Sequence, residues 1–225
     1  MSQQRMSRRL YCYHLTESRF LLQRYVIDTL QSIRRKKGVK AMYMRVSLLV
    51  SVVLLLTVIA GCCNTIRFSD LSPGTRYEVG DVITTSGVDI VVEPFMWGND
   101  NWTSDGRAEV DSRQYSGASG NDMNARNVNL NFTFDYPRSK ISLKFADLGG
   151  NENIQVNDEF LNLNEIISLD GLILGGVTLS VSAVQEGTNW IGKLVLDGTI
   201  HSFSIGGQEL WIDDVCYCDG LRGCF

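Results

Sequence analysis

Residues 127–136 read NVNLNFTFDY, and their alternation decides the fold. Val128, Leu130, Phe132, Phe134 and Tyr136 share one side of an extended chain; Asn129, Asn131, Thr133 and Asp135 share the other. A period of two with one apolar face is the pattern of a half-buried antiparallel strand. Pro137-Arg138 turns the chain, and Ile141, Leu143 and Phe145 begin a second alternation. Further along, the period returns at Val177, Leu179, Val181 and Ala183, at Trp190, Leu194 and Leu196, at Phe203 and Ile205, and at Leu210 and Ile212. Upstream, strands are expected at 76–79, 82–85 and 88–93. Gly, Pro and Asp punctuate the runs at Pro73-Gly74, Gly80-Asp81, Gly149-Gly150, Asp170-Gly171, Gly175-Gly176, Asp197-Gly198 and Gly206-Gly207. No helical period follows Cys62, and no repeat of solenoid or propeller length is present. The expectation is an all-β domain: an antiparallel two-sheet β-sandwich of jelly-roll type, preceded by a helical signal segment.

The last alternation closes on Gly206-Gly207-Gln208-Glu209-Leu210-Trp211-Ile212-Asp213-Asp214-Val215. This ending resembles the final strand of jelly-roll modules of the galactose-binding-like, carbohydrate-binding type, which often reads aliphatic-Asp-Asp-aliphatic. The resemblance covers some ten residues. It implies that the final strand lies beside the first, and that a structural calcium ion sits near both. Asp70, Glu209, Asp213 and Asp214 would be its ligands, since calcium takes several carboxylate and carbonyl oxygens.

The other end of the chain carries a targeting signal. Residues 46–60, VSLLVSVVLLLTVIA, are uncharged and follow Lys40 and Arg45. The run is short for a membrane span, which needs about 20 residues, and suits the apolar region of a signal peptide. It ends in Ile59-Ala60-Gly61-Cys62, which resembles the bacterial lipobox. That resemblance implies diacylation of Cys62, cleavage before it, and stable attachment to a bilayer through more than one acyl chain. Residues 1–41 fit no signal peptide, and Met42 reads as the start of translation, with 1–41 a non-native extension. The expected organisation is then a signal peptide at 42–61, a tether at 62–72, the sandwich at 73–215 and a Cys-rich tail at 216–225. The expected location is the extracytoplasmic side of a cell membrane or outer membrane.

The formal charge of −4 averages two unlike segments. Residues 1–61 carry eleven Lys/Arg against two acids; from Cys62 on there are ten against twenty-three, a net of −13. So acidic a domain has no field that would draw nucleic-acid phosphates, and no nucleic-acid partner is expected. Cysteine is confined to Cys12, Cys62, Cys63, Cys216, Cys218 and Cys224. Thiols at both ends of an exported domain read as an oxidised clasp, with Cys63, Cys216, Cys218 and Cys224 as candidates.

Chemistry is sparse. His201 is the one histidine of the exported part, and alternation sets it on the Phe203 and Ile205 face as a partly buried strand residue. There is no nucleophile elbow, zinc motif or phosphate loop. The most distinctive stretch is 95–127, rich in Asn, Asp, Ser and Gly, in which only 107–111 looks strand-like. A long irregular connection of this kind is a place for function. Trp97, Trp102 and Tyr115 offer flat apolar faces there, while Asn99, Asn101, Arg107 and Asp122 offer planar hydrogen-bonding groups. That combination suits a sugar ring, apolar on its face and hydroxylated at its rim. The expected function is therefore a membrane-anchored lipoprotein with a non-catalytic binding domain for carbohydrate or envelope glycan. Two alternatives stand beside it. One is a structural or adhesive lipoprotein that binds a protein. The other is a glycoside hydrolase using a carboxylate pair such as Glu109 with Asp111, or Glu209 with Asp213.

Overall fold

The computed structural model describes residues 63–219. The expected extension, the expected signal peptide, the lipobox-like stretch with Cys62, and Cys224 lie outside the described residues.

Among the described residues sixteen strands follow one another: β1 Cys63–Ile66, β2 Arg76–Glu78, β3 Val82–Thr85, β4 Val88–Met96, β5 Trp102–Thr103, β6 Arg107–Asp111, β7 Asp122–Arg126 and β8 Val128–Thr133. Then come β9 Arg138–Asp147, β10 Glu152–Val156, β11 Glu159–Leu163, β12 Ile173–Leu174, β13 Val177–Glu186, β14 Asn189–Ile200, β15 Phe203–Gly207 and β16 Leu210–Asp219. They form two antiparallel sheets. The larger has the order β12-β13-β14-β9-β16-β7-β6-β2, with β1 also on β16. The smaller has the order β11-β10-β15-β8-β4-β3, with β5 on β4. The protein is an all-β two-sheet sandwich.

Alternation explains why the sheets close on each other. Val128, Leu130 and Phe132 of β8, Val88, Ile90 and Val92 of β4, and Phe203 and Ile205 of β15 are buried. They share one core with Ile141, Leu143 and Phe145 of β9, Leu194 and Leu196 of β14, and Leu210 and Ile212 of β16. Phe132 and Phe203, paired across strands, stack at 5.5 Å. Each such side chain contributes about 2–3 kcal/mol by leaving water, so the alternating rows hold the sandwich together.

The structure departs from the sequence reading in several places. The expected tether is part of the sandwich: β1 pairs with β16 from Cys63 to Ile66, and Ile66 and Phe68 are fully buried. The Cys-rich tail begins inside β16, which runs on to Asp219. Within 95–127, Asp122–Arg126 is a strand between β6 and β16. Its alternation was masked because Asp122 and Asn124 are buried along with Met123 and Ala125. Finally, His201 is exposed in the turn between β14 and β15, where its N–H donates to Asn157 Oδ1 (2.7 Å).

The strand quoted at the outset begins at Val128, because Asn127 adopts φ 55° as the chain passes from one sheet to the other. Asparagine tolerates that left-handed conformation better than most residues. It ends at Thr133, and Tyr136 is exposed in the turn that follows.

Candidate functional site

The outer face of the smaller sheet carries a groove of about 180 Å³, lined by Glu93, Pro94, Trp102, Asn129, Asn153, Gln155, Phe160 and Ser204. Its floor comes from strand register. One row runs Asn162, Asn153, Gly206, Asn129, Glu93 across β11, β10, β15, β8 and β4. The next runs Phe160, Gln155, Ser204, Asn131 across the first four of these strands. These are the outward halves of the same alternations that fill the core, so burial of the inner face fixes the direction of the polar one.

The polar groups are held from behind. Asn129 Nδ2 donates to Pro94 O (2.6 Å), Asn131 Nδ2 to Glu93 Oε1 (2.7 Å) and Asn162 Nδ2 to Met96 O (2.8 Å). Gly206 lies between Asn153 and Asn129 because a Cβ there would collide with the Val128 carbonyl and the Asn129 carboxamide. The missing side chain leaves room for Asn129 to lie across the strand.

Trp102 and Phe160 form the rim. Their rings meet at 5.5 Å and 42°, and Trp102 is 58% exposed. Trp102 is fixed by its pairing with Met96 in the two-stranded extension made by β4 and β5. The connecting turn is tied down as well: Trp97 N–H donates to Asn101 O (2.9 Å), Asn101 N–H to Asn99 Oδ1 (3.3 Å) and Gly98 N–H to Asn151 Oδ1 (3.0 Å). An exposed indole on a braced turn is an apolar platform that costs little conformational entropy to use.

The residues singled out in 95–127 separate in space. Trp102 lines the groove; Asn99 and Asn101 sit in its turn, and Trp97 packs edge-on against Phe95 at 5.5 Å. Arg107, Tyr115 and Asp122 belong to the larger sheet and its loops. Arg107 pairs with Glu109 (3.3 Å), and Tyr115 packs on Trp211 at 5.0 Å. Asp122 accepts from Ser116 N–H (2.8 Å) and Ser116 Oγ (2.9 Å). Glu93, Asn129, Asn153, Gln155, Phe160 and Ser204 went unmarked. They are scattered over five strands; alone, the five polar ones look like the outer side of an ordinary sheet, and Phe160 like ordinary strand content.

The four expected calcium ligands have different surroundings. Asp70 accepts from Thr85 Oγ1 (2.5 Å) and Ser86 N–H (3.2 Å), and Asp214 pairs with Arg67 (2.9 Å) and Lys144 (3.2 Å). Glu209 is exposed, and Asp213 is fully buried. Among the described residues no three acidic, histidine or cysteine side chains gather into a metal-binding group.

The acids instead split by environment. Burial pushes the Asp213 carboxyl up to about 7, opposed by the Asp214 backbone N–H and reinforced by the nearby Asp214 and Asp122 charges. At Asp214 burial also works upward, but hydrogen bonds from Arg67 and Lys144 outweigh it and hold the carboxyl below its ordinary value. Burial is outweighed at Asp111 too, where Arg113 and the Trp211 indole N–H (2.9 Å) take the carboxyl down to about 2. Glu152 is the extreme: burial, then the neighbouring Asp147 carboxylate, raise it to about 10.

Comparison of the chain with family models, curated proteins and solved structures gave no match in any of the three.

Proposed function

We propose that this chain is a lipid-anchored extracytoplasmic protein whose sandwich binds carbohydrate, as an envelope glycan or a free saccharide, in the groove below Trp102. The observation that carries the reading is the pairing of an exposed indole and the Phe160 ring with a floor of Asn, Gln, Ser and Glu side chains. A pyranose needs that division of labour: an aromatic plane for its C–H face and fixed amides for its hydroxyls. The groove holds about 180 Å³, below the roughly 300 Å³ of an ordinary enclosed small-molecule site. It suits one ring of a longer chain that continues across the sheet.

The groove contains a single carboxylate, Glu93, engaged by Asn131. Two-carboxylate glycoside hydrolysis needs a second one at a separation of roughly 5–10 Å. The two pairs that could have served lie elsewhere. Glu109 is bound by Arg76 (3.1 Å) and Arg107, Asp111 by Arg113 (2.7 Å), and Glu209 and Asp213 differ wholly in exposure. The groove therefore favours binding without cleavage.

The anchor rests on the lipobox-like Ile59-Ala60-Gly61-Cys62. The clasp finds support in the register, which sets Cys63 directly opposite Cys218. Facing residues of an antiparallel pair have Cα atoms about 4.5–5.5 Å apart, within the range a disulfide bridges.

Glycan-array screening followed by calorimetry tests the binding reading. Trp102→Ala should weaken the best saccharide at least tenfold, and Phe160→Ala should weaken it less. Saccharide affinity untouched by Trp102→Ala, or a protein partner captured with no glycan affinity at all, would remove it. Radiolabelled palmitate should enter the native chain and not Cys62→Ser.

A further inference from the structure

One line of residues crosses the larger sheet at the level where β1 begins. Cys63 faces Cys218 of β16, Cys218 faces Lys140 of β9, and Lys140 faces Asp197 of β14. Asp197 faces Thr178 of β13, and Thr178 faces Ile173 of β12. Five strand spacings of about 4.8 Å make this line roughly 24 Å long. Ile173 ends it and is 71% exposed. Tyr136, 67% exposed, lies in the turn just before β9, two residues from Arg138, which faces Asp219 at the end of β16. These are the two most exposed large hydrophobic side chains among the described residues, and both lie at this end of the sandwich. Beside Tyr136, the Arg138 guanidinium stacks over Phe134 (5.0 Å) and Tyr217 (4.7 Å), whose rings touch at 5.0 Å.

The opposite end is equally distinct. Trp102 faces Met96 at the end of β4, and Trp97 follows it. Trp190 faces Asp147 at the end of β9, and Trp211 faces Ala146. The chain has four tryptophans, and all are at this far end. From Lys140 to Asp147 is seven residues, roughly 23 Å of strand.

We propose that the end of the sandwich marked by Tyr136 and Ile173 rests in the headgroup layer of the bilayer, with the strands standing away from it and the groove facing outward at the far end. The proposal rests on anchoring at Cys62 and goes beyond it. No residue separates Cys62 from β1, and one residue of chain reaches at most about 3.6 Å. A domain with no tether cannot stand clear of the surface that holds it. Tyrosine, with a wet hydroxyl on an apolar ring, and arginine stacked on aromatics both suit the boundary between headgroup and acyl chain. The contact is apolar rather than ionic. Lys140 is paired with Asp197 (3.0 Å), Asp135 and Asp158 lie in the neighbouring turns, and Glu159 opens β11 beside them. Neutral lipid should therefore serve as well as anionic lipid, with little dependence on salt.

The test uses the full lipid-anchored chain in phosphatidylcholine vesicles whose acyl chains carry bromine next to the headgroup. Bromine quenches tryptophan only at near contact. The native protein should float with the vesicles and keep its emission. Tyr136→Trp and Ile173→Trp should each add emission that the brominated lipid removes. Val184→Trp, equally exposed but level with Ala146 at the far end, should add emission that survives. Flotation without quenching of either proximal tryptophan overturns the proposal and leaves the anchor intact. Quenching at Val184→Trp as well would mean the domain lies flat, which overturns it too. Failure to float would remove the anchor itself, and the proposal with it.

Discussion

Replacing Glu152 by glutamine should stabilise this protein, and the amount can be worked from its surroundings. Glu152 opens β10 and is 1% exposed. No N–H or O–H group among its neighbours reaches either of its oxygens. What it meets is the Asp147 carboxylate, whose own oxygens accept from the backbone N–H groups of Gly149 (2.9 Å) and Ile166 (3.1 Å). Those two donors commit Asp147 to the role of acceptor, so the proton between the pair stays on Glu152. Its carboxyl rises from an ordinary 4.5 to about 10, burial being the larger cause. An acid raised on folding is neutral in both states below pH 4.5, where it costs nothing. Above that, the unfolded chain gains by ionising and the folded one does not, so stability falls as pH rises toward 10. At pH 7 the difference from 4.5 amounts to about 3 kcal/mol at 1.36 kcal/mol per pH unit. Glutamine has the shape of the protonated acid and an N–H to offer Asp147, without the option of ionising. Urea unfolding of Glu152→Gln should show a gain approaching 3 kcal/mol at pH 7 that shrinks to near zero at pH 4.5. Equal effects at both pH values, or a loss at pH 7, would refute the shared proton.

Other outcomes follow from the same inventory. Asp111→Asn sets an amide against the Arg113 guanidinium or the Trp211 indole N–H, where Asp111 now accepts from both. Since Arg113 is largely exposed, the loss should be about 1–2 kcal/mol at pH 7. It should disappear between pH 4 and pH 2 in acid titration, because an acid lowered on folding contributes fully above its unfolded value and loses that contribution as pH falls to its folded one. Asp213→Asn should flatten the decline in stability between pH 4 and pH 7, since its raised carboxyl loses ground as pH climbs through that window. Gly206→Ala should cost about 3 kcal/mol or prevent folding, because the new Cβ meets the Val128 carbonyl, which belongs to a paired strand and cannot retreat. Thermal melts and soluble yield would show it.

What the sequence made legible follows from how each feature is encoded. Alternation is local, and the inner rows at Val128, Leu130 and Phe132 or Ile141, Leu143 and Phe145 could be read one strand at a time. β7 escaped because it is central, with Asp122 satisfied by Ser116 on the face where water was expected. A polar residue that is buried and paired looks like a loop residue until its partner is known. β1 escaped because four residues carry no period of their own; β16 defines them. His201 falls off the Phe203 alternation because a turn intervenes, whose hydrogen bonds come from Asn157, 44 residues earlier.

The groove makes the same point about function. Trp102 could be picked out from its own neighbourhood, since an indole amid Asn, Asp and Ser is conspicuous. Its partners could not. Phe160 comes 58 residues later and looked like ordinary strand content, and the floor is divided among β4, β8, β10, β11 and β15. Register places Asn153 across Gly206 from Asn129, and register belongs to pairs of strands. Arg107, Tyr115 and Asp122 are near Trp102 in the chain but not in space. The path from Thr103 to Arg107 changes sheets, and five residues were enough to carry them to the other layer. In a sandwich whose chain crosses this often, closeness in sequence is a poor guide to a shared surface. The reliable clue is the outward half of each alternation, read for all strands of one sheet together. Applied to the larger sheet, that rule gives Glu109, Asn124, Trp211, Ala146 and Ile191 across β6, β7, β16, β9 and β14. There the Trp211 ring is covered by Tyr115 and its N–H held by Asp111, so the aromatic plane is already occupied. Trp102, by contrast, is an exposed ring beside free space on the smaller sheet, and that contrast is why Trp102 rather than Trp211 is the residue to mutate first.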